Sequence, residues 1–299
     1  MNNIDILQRF LIENASIRGE LVHLDQSFQT IVHQHKYPPF IQKLLGEALI
    51  LVALLASIIK FKGRLTLQFQ GKGKLKLLLA QCNHEFHLRG LVQMTGELQE
   101  ADLLNDLKQG ILVIMIDPDD SGKRYQGIVA WQGESLTESI EGYFRDSEQL
   151  RTRIWLAINE TRAAGLLLQV MPRQGGAQES HSELVTSDAD WEHVIHLTET
   201  ITPEELLNLP SETILHRLYV QEDVRLFPAE PVMFQCTCSA KRGENAILLL
   251  GREEIEEELT EKQVIVVTCD FCNKEFTFDR VDIENIFRKG GNPPSSQVH

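Results

Sequence analysis

Hydrophobic positions along the chain change period several times, and each change predicts an element. Residues 8–13 and 18–24 are short runs of mixed alternation and predict two strands. Asp25 stands where it can cap a helix over 27–33. After Tyr37-Pro38-Pro39 comes a stretch, 40–59, that is apolar on most faces. It predicts a long helix that other elements must cover on nearly all sides. Alternation returns in 64–70 and 74–81, joined by Gly71-Lys72-Gly73, which predicts a β-hairpin, with 84–92 as a third strand of the meander.

Residues 101–108 predict a short helix, and the continuous apolar run 111–116 predicts a buried strand. Asp117-Pro118-Asp119-Asp120-Ser121-Gly122 is turn chemistry, and 125–131 returns as a strand. Ser135 with Glu138 three residues on is a capping box. Strands over 152–158 and 164–171 complete a domain that ends at Pro172-Arg173-Gln174-Gly175-Gly176. Strands joined by short turns imply a mostly antiparallel sheet, hence an α+β core domain with helices.

Beyond this point the pattern becomes short helices. Ser187 or Asp188 caps one with Trp191, Val194 and Ile195 on a face. Thr202-Pro203-Glu204-Glu205 is a complete helix start, and that helix stops at Pro210. Ser211 is placed to cap a third carrying Ile214, Leu215 and Leu218. Each is near or below the length that sustains itself in water, so each needs a surface to lie on. Phe227-Pro228-Ala229-Glu230-Pro231 stiffens the chain before a last region, where helices over 241–250, closed by Gly251, and 253–258 precede strands over 264–268 and 275–279.

Charge sharpens this division. The net charge of −14 is not spread evenly: 1–177 holds 19 acidic and 19 basic residues, 178–231 holds 12 acidic and 2 basic, and 232–299 holds 12 and 8. We therefore divide the chain into a core at 1–177, an acidic helical linker at 178–231 that repels itself, and a small domain at 232–299. The acidic balance argues against a nucleic-acid partner, whose phosphates need a basic surface. The start Met1-Asn2-Asn3-Ile4-Asp5 has no leader character. The longest apolar run, 48–59, is shorter than the ~20 residues of a membrane span. Both features lead us to expect a cytoplasmic protein without a membrane partner.

The candidate chemistry lies in the small domain. Four of the five cysteines form two tight pairs, Cys236-Thr237-Cys238 and Cys269-Asp270-Phe271-Cys272. Two such pairs brought together by the fold fill the four corners of a tetrahedron, the arrangement of a Zn²⁺ site. Zn²⁺ has no redox chemistry but its thiolates do, so the quartet is either a static clip or a switch that an oxidant opens. A region this small has a thin core, and a structural zinc contributes about 10–16 kcal/mol in comparable sites, so it should unfold when the metal leaves. A thioredoxin-like role for Cys269 and Cys272 fits poorly, because this C-x-x-C does not open a helix.

Cys82, at the end of an apolar strand, reads as a packed thiol. His84 and His87 have a spacing that suits no shared face, and we assign them structural or surface roles. Gly71-Lys72-Gly73 reads as a hairpin turn rather than a phosphate cradle, because it opens a strand and not a helix. His181, His193, His196 and His216 could lend the acidic segment pH sensitivity, with a solvated surface as the default reading. No catalytic triad, carboxylate pair or nucleotide loop stands out, so we do not expect an enzyme.

The whole chain resembles the Hsp33 family of redox-regulated bacterial chaperones. The matching residues include Arg18-Gly19-Glu20-Leu21-Val22, Leu44-Leu45-Gly46-Glu47-Ala48, Gln68-Phe69-Gln70-Gly71-Lys72-Gly73, Leu88-Arg89-Gly90 and the quartet in its C-x-C and C-x-x-C order. The resemblance implies a cytoplasmic, ATP-independent holdase that is inactive when reduced and bound to one Zn²⁺ through Cys236, Cys238, Cys269 and Cys272. It implies that oxidation forms disulfides Cys236–Cys238 and Cys269–Cys272, releases the zinc, unfolds the small domain and loosens the linker. It further implies that the active form, a homodimer, then holds unfolding client proteins. The alternative is a static zinc-clipped adaptor that binds a folded partner without redox switching.

Overall fold

The computed structural model describes residues 5–119, 122–171 and 186–289. The chain divides into two compact units, Met1–Gln235 and Cys236–His299. In the first unit, strands β1 (Ile6–Ile12) and β2 (Ile17–Leu24) precede helices α1 (Gln26–Val32) and α2 (Pro39–Ile58). Next come β3 (Gly63–Gln70), β4 (Leu75–Asn83), β5 (His87–Met94), α3 (Glu100–Lys108), β6 (Ile111–Pro118) and β7 (Tyr125–Val129). Helix α4 (Leu136–Tyr143) runs into a π-helical turn at Phe144–Glu148, followed by β8 (Thr152–Ile158) and β9 (Ala163–Val170). The acidic segment supplies α5 (Asp188–Thr198), α6 (Pro203–Asn208) and α7 (Ser211–Leu218), then three short strands, β10 (Val224–Leu226), β11 (Glu230–Pro231) and β12 (Met233–Phe234).

These strands form two sheets. One has the order β10-β1-β2-β9-β8, with β11 also on β1; the other has the order β12-β5-β4-β3-β6-β7. Every pairing is antiparallel except β12 on β5. The α+β expectation holds. Helix α2 packs against strands of both sheets. Its 20 residues have the length and composition of a membrane span, yet 78% of its most apolar stretch is buried inside the unit. Length alone therefore did not separate the two cases; burial between two sheets does. Close approach needs small residues beneath the helix: a Cβ on Gly165 would lie 2.3 Å from Ile50.

The first sheet is buried on both faces. Leu7, Val22, Leu24, Ile154 and Leu167 face α2. The alternate positions Phe10, Ile12, Ile17, Leu21, Ala157, Ala164, Leu166 and Leu168 face the other way, against Val194, Leu206, Ile214, Leu215, Leu218 and Tyr219 of the acidic segment. The described part of 178–231 thus lies within the first unit, and the surface its helices require is this sheet face. The Phe10 ring lies directly over Gly19, where any side chain would collide with it.

Several local expectations are met and some are revised. Capping boxes close α5 at Ser187–Asp190 and α6 at Thr202–Glu205. At α4, Ser135 accepts from the Glu138 N–H, but the Glu138 carboxylate accepts from Glu134, so the box is not reciprocal. Ser211 is the first residue of α7 rather than its cap; its hydroxyl lies 3.4 Å from His23 Nδ1. Asp25 makes no cap bond to α1. Asp5 does this instead, its carboxylate accepting from the N–H groups of Asp25, Gln26 and Ser27. The Pro172–Gly176 stretch lies outside the described residues.

In the second unit, α8 (Ala240–Leu250) and α9 (Arg252–Glu261) precede a hairpin of β13 (Val264–Thr268) and β14 (Glu275–Asp279) and a final helix α10 (Arg280–Lys289). Gly251, with φ 92°, makes the turn between α8 and α9. Among the described residues the core is seven buried side chains, Ile247, Ile255, Leu259, Ile265, Phe278, Ile283 and Ile286. Such a core is thin for an independent unit.

Candidate metal centre

The cysteine pairs reach one place by different routes. Cys236 and Cys238 lie in the extended segment before α8, whose cap Ser239 accepts from the Arg242 N–H. Arg242 also donates to the Thr237 hydroxyl at 2.9 Å, bracing the residue between the two thiols. Cys269 and Cys272 occupy the turn of the β13–β14 hairpin. There the Cys269 carbonyl accepts from the N–H groups of Cys272 and Asn273, and the Cys269 N–H donates to Lys274. Asn273 takes the left-handed conformation, φ 52°, that this tight turn requires.

All four sulfur atoms lie within 4.8 Å of one another. Cys236 Sγ is 3.6 Å from Cys269 Sγ, and Cys238 Sγ is 3.5 Å from Cys272 Sγ. A tetrahedron with metal–sulfur bonds of about 2.3 Å has sulfur–sulfur edges of about 3.8 Å. The four thiols are therefore grouped closely enough to hold a metal ion. Electrostatics point the same way. Burial acts to raise Cys236, but hydrogen bonds from the Cys238 backbone and the neighbouring thiols outweigh it and hold this thiol below its usual value. Burial and the adjoining thiols push Cys272 up to about 12. Four thiolates cannot share this space without a cation, and a bound cation reverses that cost.

The other candidates are not drawn into this centre. Cys82 is buried in the first unit, its thiol pushed up by burial and donating to the Asn83 carbonyl. His84 Nδ1 accepts from the Gly63 N–H at 3.1 Å, and His87 Nδ1 lies 3.2 Å from Asn83 Nδ2. Gly71-Lys72-Gly73 is the β3–β4 turn, with the Gly71 N–H on the Lys76 carbonyl. His193 pairs with Glu222 at 3.0 Å, while His196 bonds the Glu192 carbonyl of its own helix. His216 is exposed, and His181 lies outside the described residues.

What the sequence reading did not isolate is the apolar face beneath the acidic helices. Its strands alternate as any half-buried sheet does. The available signal was that β1, β2 and β9 are apolar at both odd and even positions, the mark of a sheet covered twice.

An α+β unit with a doubly covered sheet, followed by a thin unit gathered around four thiols that could hold a metal ion, defines a two-part protein. The comparisons with known proteins assign that architecture. The family described as "Hsp33 protein" matches residues 5–279. The "33 kDa chaperonin" of Nitrosococcus oceani is 45% identical over 96% of each chain, and that of Azotobacter vinelandii is 42% identical over 100% of both. The crystal structure of the 33 kDa chaperonin from Thermotoga maritima superposes with a TM-score of 0.78 at 19% identity, covering 96% of this chain and 99% of that one, and shares the fold. The chain belongs to the Hsp33 family of chaperones.

Proposed function

We propose that this chain is a redox-regulated, ATP-independent holdase of the cytoplasm. In the reduced protein Cys236, Cys238, Cys269 and Cys272 hold one Zn²⁺. When bound, that ion ties the two pairs into one folded unit and contributes no redox chemistry of its own. An oxidant such as peroxide takes two electrons from each thiolate pair and, with two protons from solvent, is itself reduced to two waters. The resulting disulfides, Cys236–Cys238 and Cys269–Cys272 by family resemblance, leave no ligands for the ion. The second unit then unfolds. Functionally the chain has three parts: a core at 1–177, a releasable linker at 178–231 and a sensor at 232–299. The released protein, as a homodimer, holds unfolding client proteins.

One observation carries this reading. Three short acidic helices, in a segment with 12 acidic and 2 basic residues, cover a continuous apolar sheet face immediately upstream of the thiol cluster. Moving such a cover from 99:1 closed to 1:99 takes about 5.5 kcal/mol, within what loss of a structural metal can supply.

The test is light scattering from a thermally unfolding client. The chaperone is added either reduced with zinc or after peroxide treatment at mild heat. Suppression by the oxidised form alone is the expected result, with mass spectrometry reporting both disulfides. Equal suppression by both forms would make the metal purely structural. No suppression, with zinc retained, would leave the static adaptor.

A further inference from the structure

The segment that joins α7 to Cys236 is tied down in an unusual way. Strands β10 and β11 lie on the outer edge of β1, and β12 lies on the outer edge of β5. One stretch, 222–235, thus closes an edge of each sheet. A run of backbone hydrogen bonds attaches it. The Glu13 N–H donates to the Asp223 carbonyl at 2.8 Å, Phe227 N–H to Arg9 at 3.0 Å and Val232 N–H to Asp5 at 3.0 Å. Met233 and Gln235 donate to the Phe86 and Leu88 carbonyls at 3.2 and 3.0 Å. Side chains add to this: Glu230 pairs with Arg9, Arg225 with Glu13 and Glu222 with His193, and Val224, Val232 and Phe234 pack on the hydrophobic clusters. Little of the strap is enclosed all the same: Leu226, Phe227 and Met233 are 43, 39 and 44% exposed, and within the strap only Val232 is buried.

This strap is also a poor strand. Pro228 and Pro231 have no N–H to give, and β11 and β12 are two residues each. A proline-free extended chain would make more ladder bonds along the same edges. Gln235 is followed directly by Cys236, so the strap is the first part of the unit to feel the loss of order beyond it.

We propose that the outer edges of β1 and β5 are client-binding sites, and that the strap is an internal stand-in for the client. The ligand is an extended segment of unfolded polypeptide, added as a strand through its backbone. Open edges read the peptide unit and not the side chain, so they accept unrelated sequences in an extended state, as unfolding proteins are. The proposal rests on the holdase reading and adds the mode of recognition. The outer edge of β7 has no strand partner among the described residues in the closed form, so it cannot explain binding that depends on the switch.

The test combines hydrogen exchange and competition on the full-length protein. The client is reduced, carboxymethylated α-lactalbumin, which stays unfolded. Amides in 5–13 and 86–94 are expected to lose protection on oxidation and regain it when the client binds. A peptide with the sequence of residues 222–235 is expected to displace the client. The same peptide N-methylated at Phe227, Val232, Met233 and Gln235 keeps every side chain but loses those donors, and is expected to bind at least about tenfold more weakly.

Equal competition by the two peptides would overturn the proposal, as would a client complex in which these amides stay exposed. Renewed protection in an oxidised dimer without client would overturn it too, because the strap of a second copy would then fill the edges. If the oxidised protein binds no client at all, the holdase reading falls and takes the edge proposal with it. If it holds clients with the edges still open, only the edge proposal falls.

Discussion

Cys269 supplies a sulfur to the cluster and, through its carbonyl, closes the turn that presents Cys272. Cys269→Ser is therefore expected to abolish tight zinc binding and to lose helical signal from the second unit, read by zinc release to a chromogenic chelator and by circular dichroism. A variant that keeps full zinc affinity would contradict the four-thiol site. Glu20 poses a different residue-scale question. It is buried at 4% exposure on the α2 face of the first sheet, and one carboxylate oxygen has no partner. Burial raises its pKa from 4.5 to about 8, against the pull of Arg9 and Arg18. The folded protein holds this proton where the unfolded chain has released it. Its stabilising contribution is thus full below the unfolded value and is lost as pH rises through the folded one. Glu20→Gln is expected to leave Tm unchanged near about pH 5 and to raise it by a few degrees above about pH 8. Thermal melts across that range check the sign; a Tm lowered at neutral and alkaline pH, with no change in acid, would mean that Glu20 is ionised in the fold.

At the scale of elements, the acidic helices hold the balance. Leu215 of α7 is 3% exposed in the cluster that includes Phe10, Leu21 and Leu166. Leu215→Asp places a carboxylate in that interface, a cost of several kcal/mol that the short helices cannot absorb. The expected outcome is a reduced, zinc-loaded protein that binds a hydrophobic dye and suppresses client aggregation without oxidant. A variant that stays inactive until oxidised would show that this sheet face is not the regulated surface. Thr202→Ala removes the reciprocal cap of α6 and should cost about 1 kcal/mol, moving the same equilibrium less far. Most of these elements were legible: β13 and β14 fall at the expected residues, and the cap signals of α5 and α6 were read from spacing alone. Helix α10 was not foreseen, because its apolar residues Ile283, Ile286 and Phe287 are few and set among charges. The strap strands were hidden by Pro228 and Pro231, which local rules read as a linker.

For the whole molecule, the two units should respond separately to metal removal. A strong chelator under reducing conditions is expected to melt α8, α9, α10 and the β13–β14 hairpin while the sheets around α2 persist, since among the described residues the second unit has seven buried core residues and the first an extensive double core. Hydrogen exchange resolved by peptide checks this; uniform loss of protection would mean one cooperative body. The sequence by itself marked the two thiol pairs as a candidate metal site through their spacing, and the structure gathers the four sulfur atoms within 4.8 Å of one another. The sequence also determined the α+β class, through local alternation and turn residues, and the self-repelling character of 178–231, through charge. Tertiary structure alone decided which surface those helices cover, that Asp5 caps a helix twenty residues away, and that the approach to Cys236 closes two sheet edges. Those are pairings between distant segments. They depend on which backbone groups and apolar faces are left unsatisfied once every local element has formed, and no window of neighbouring residues contains that information.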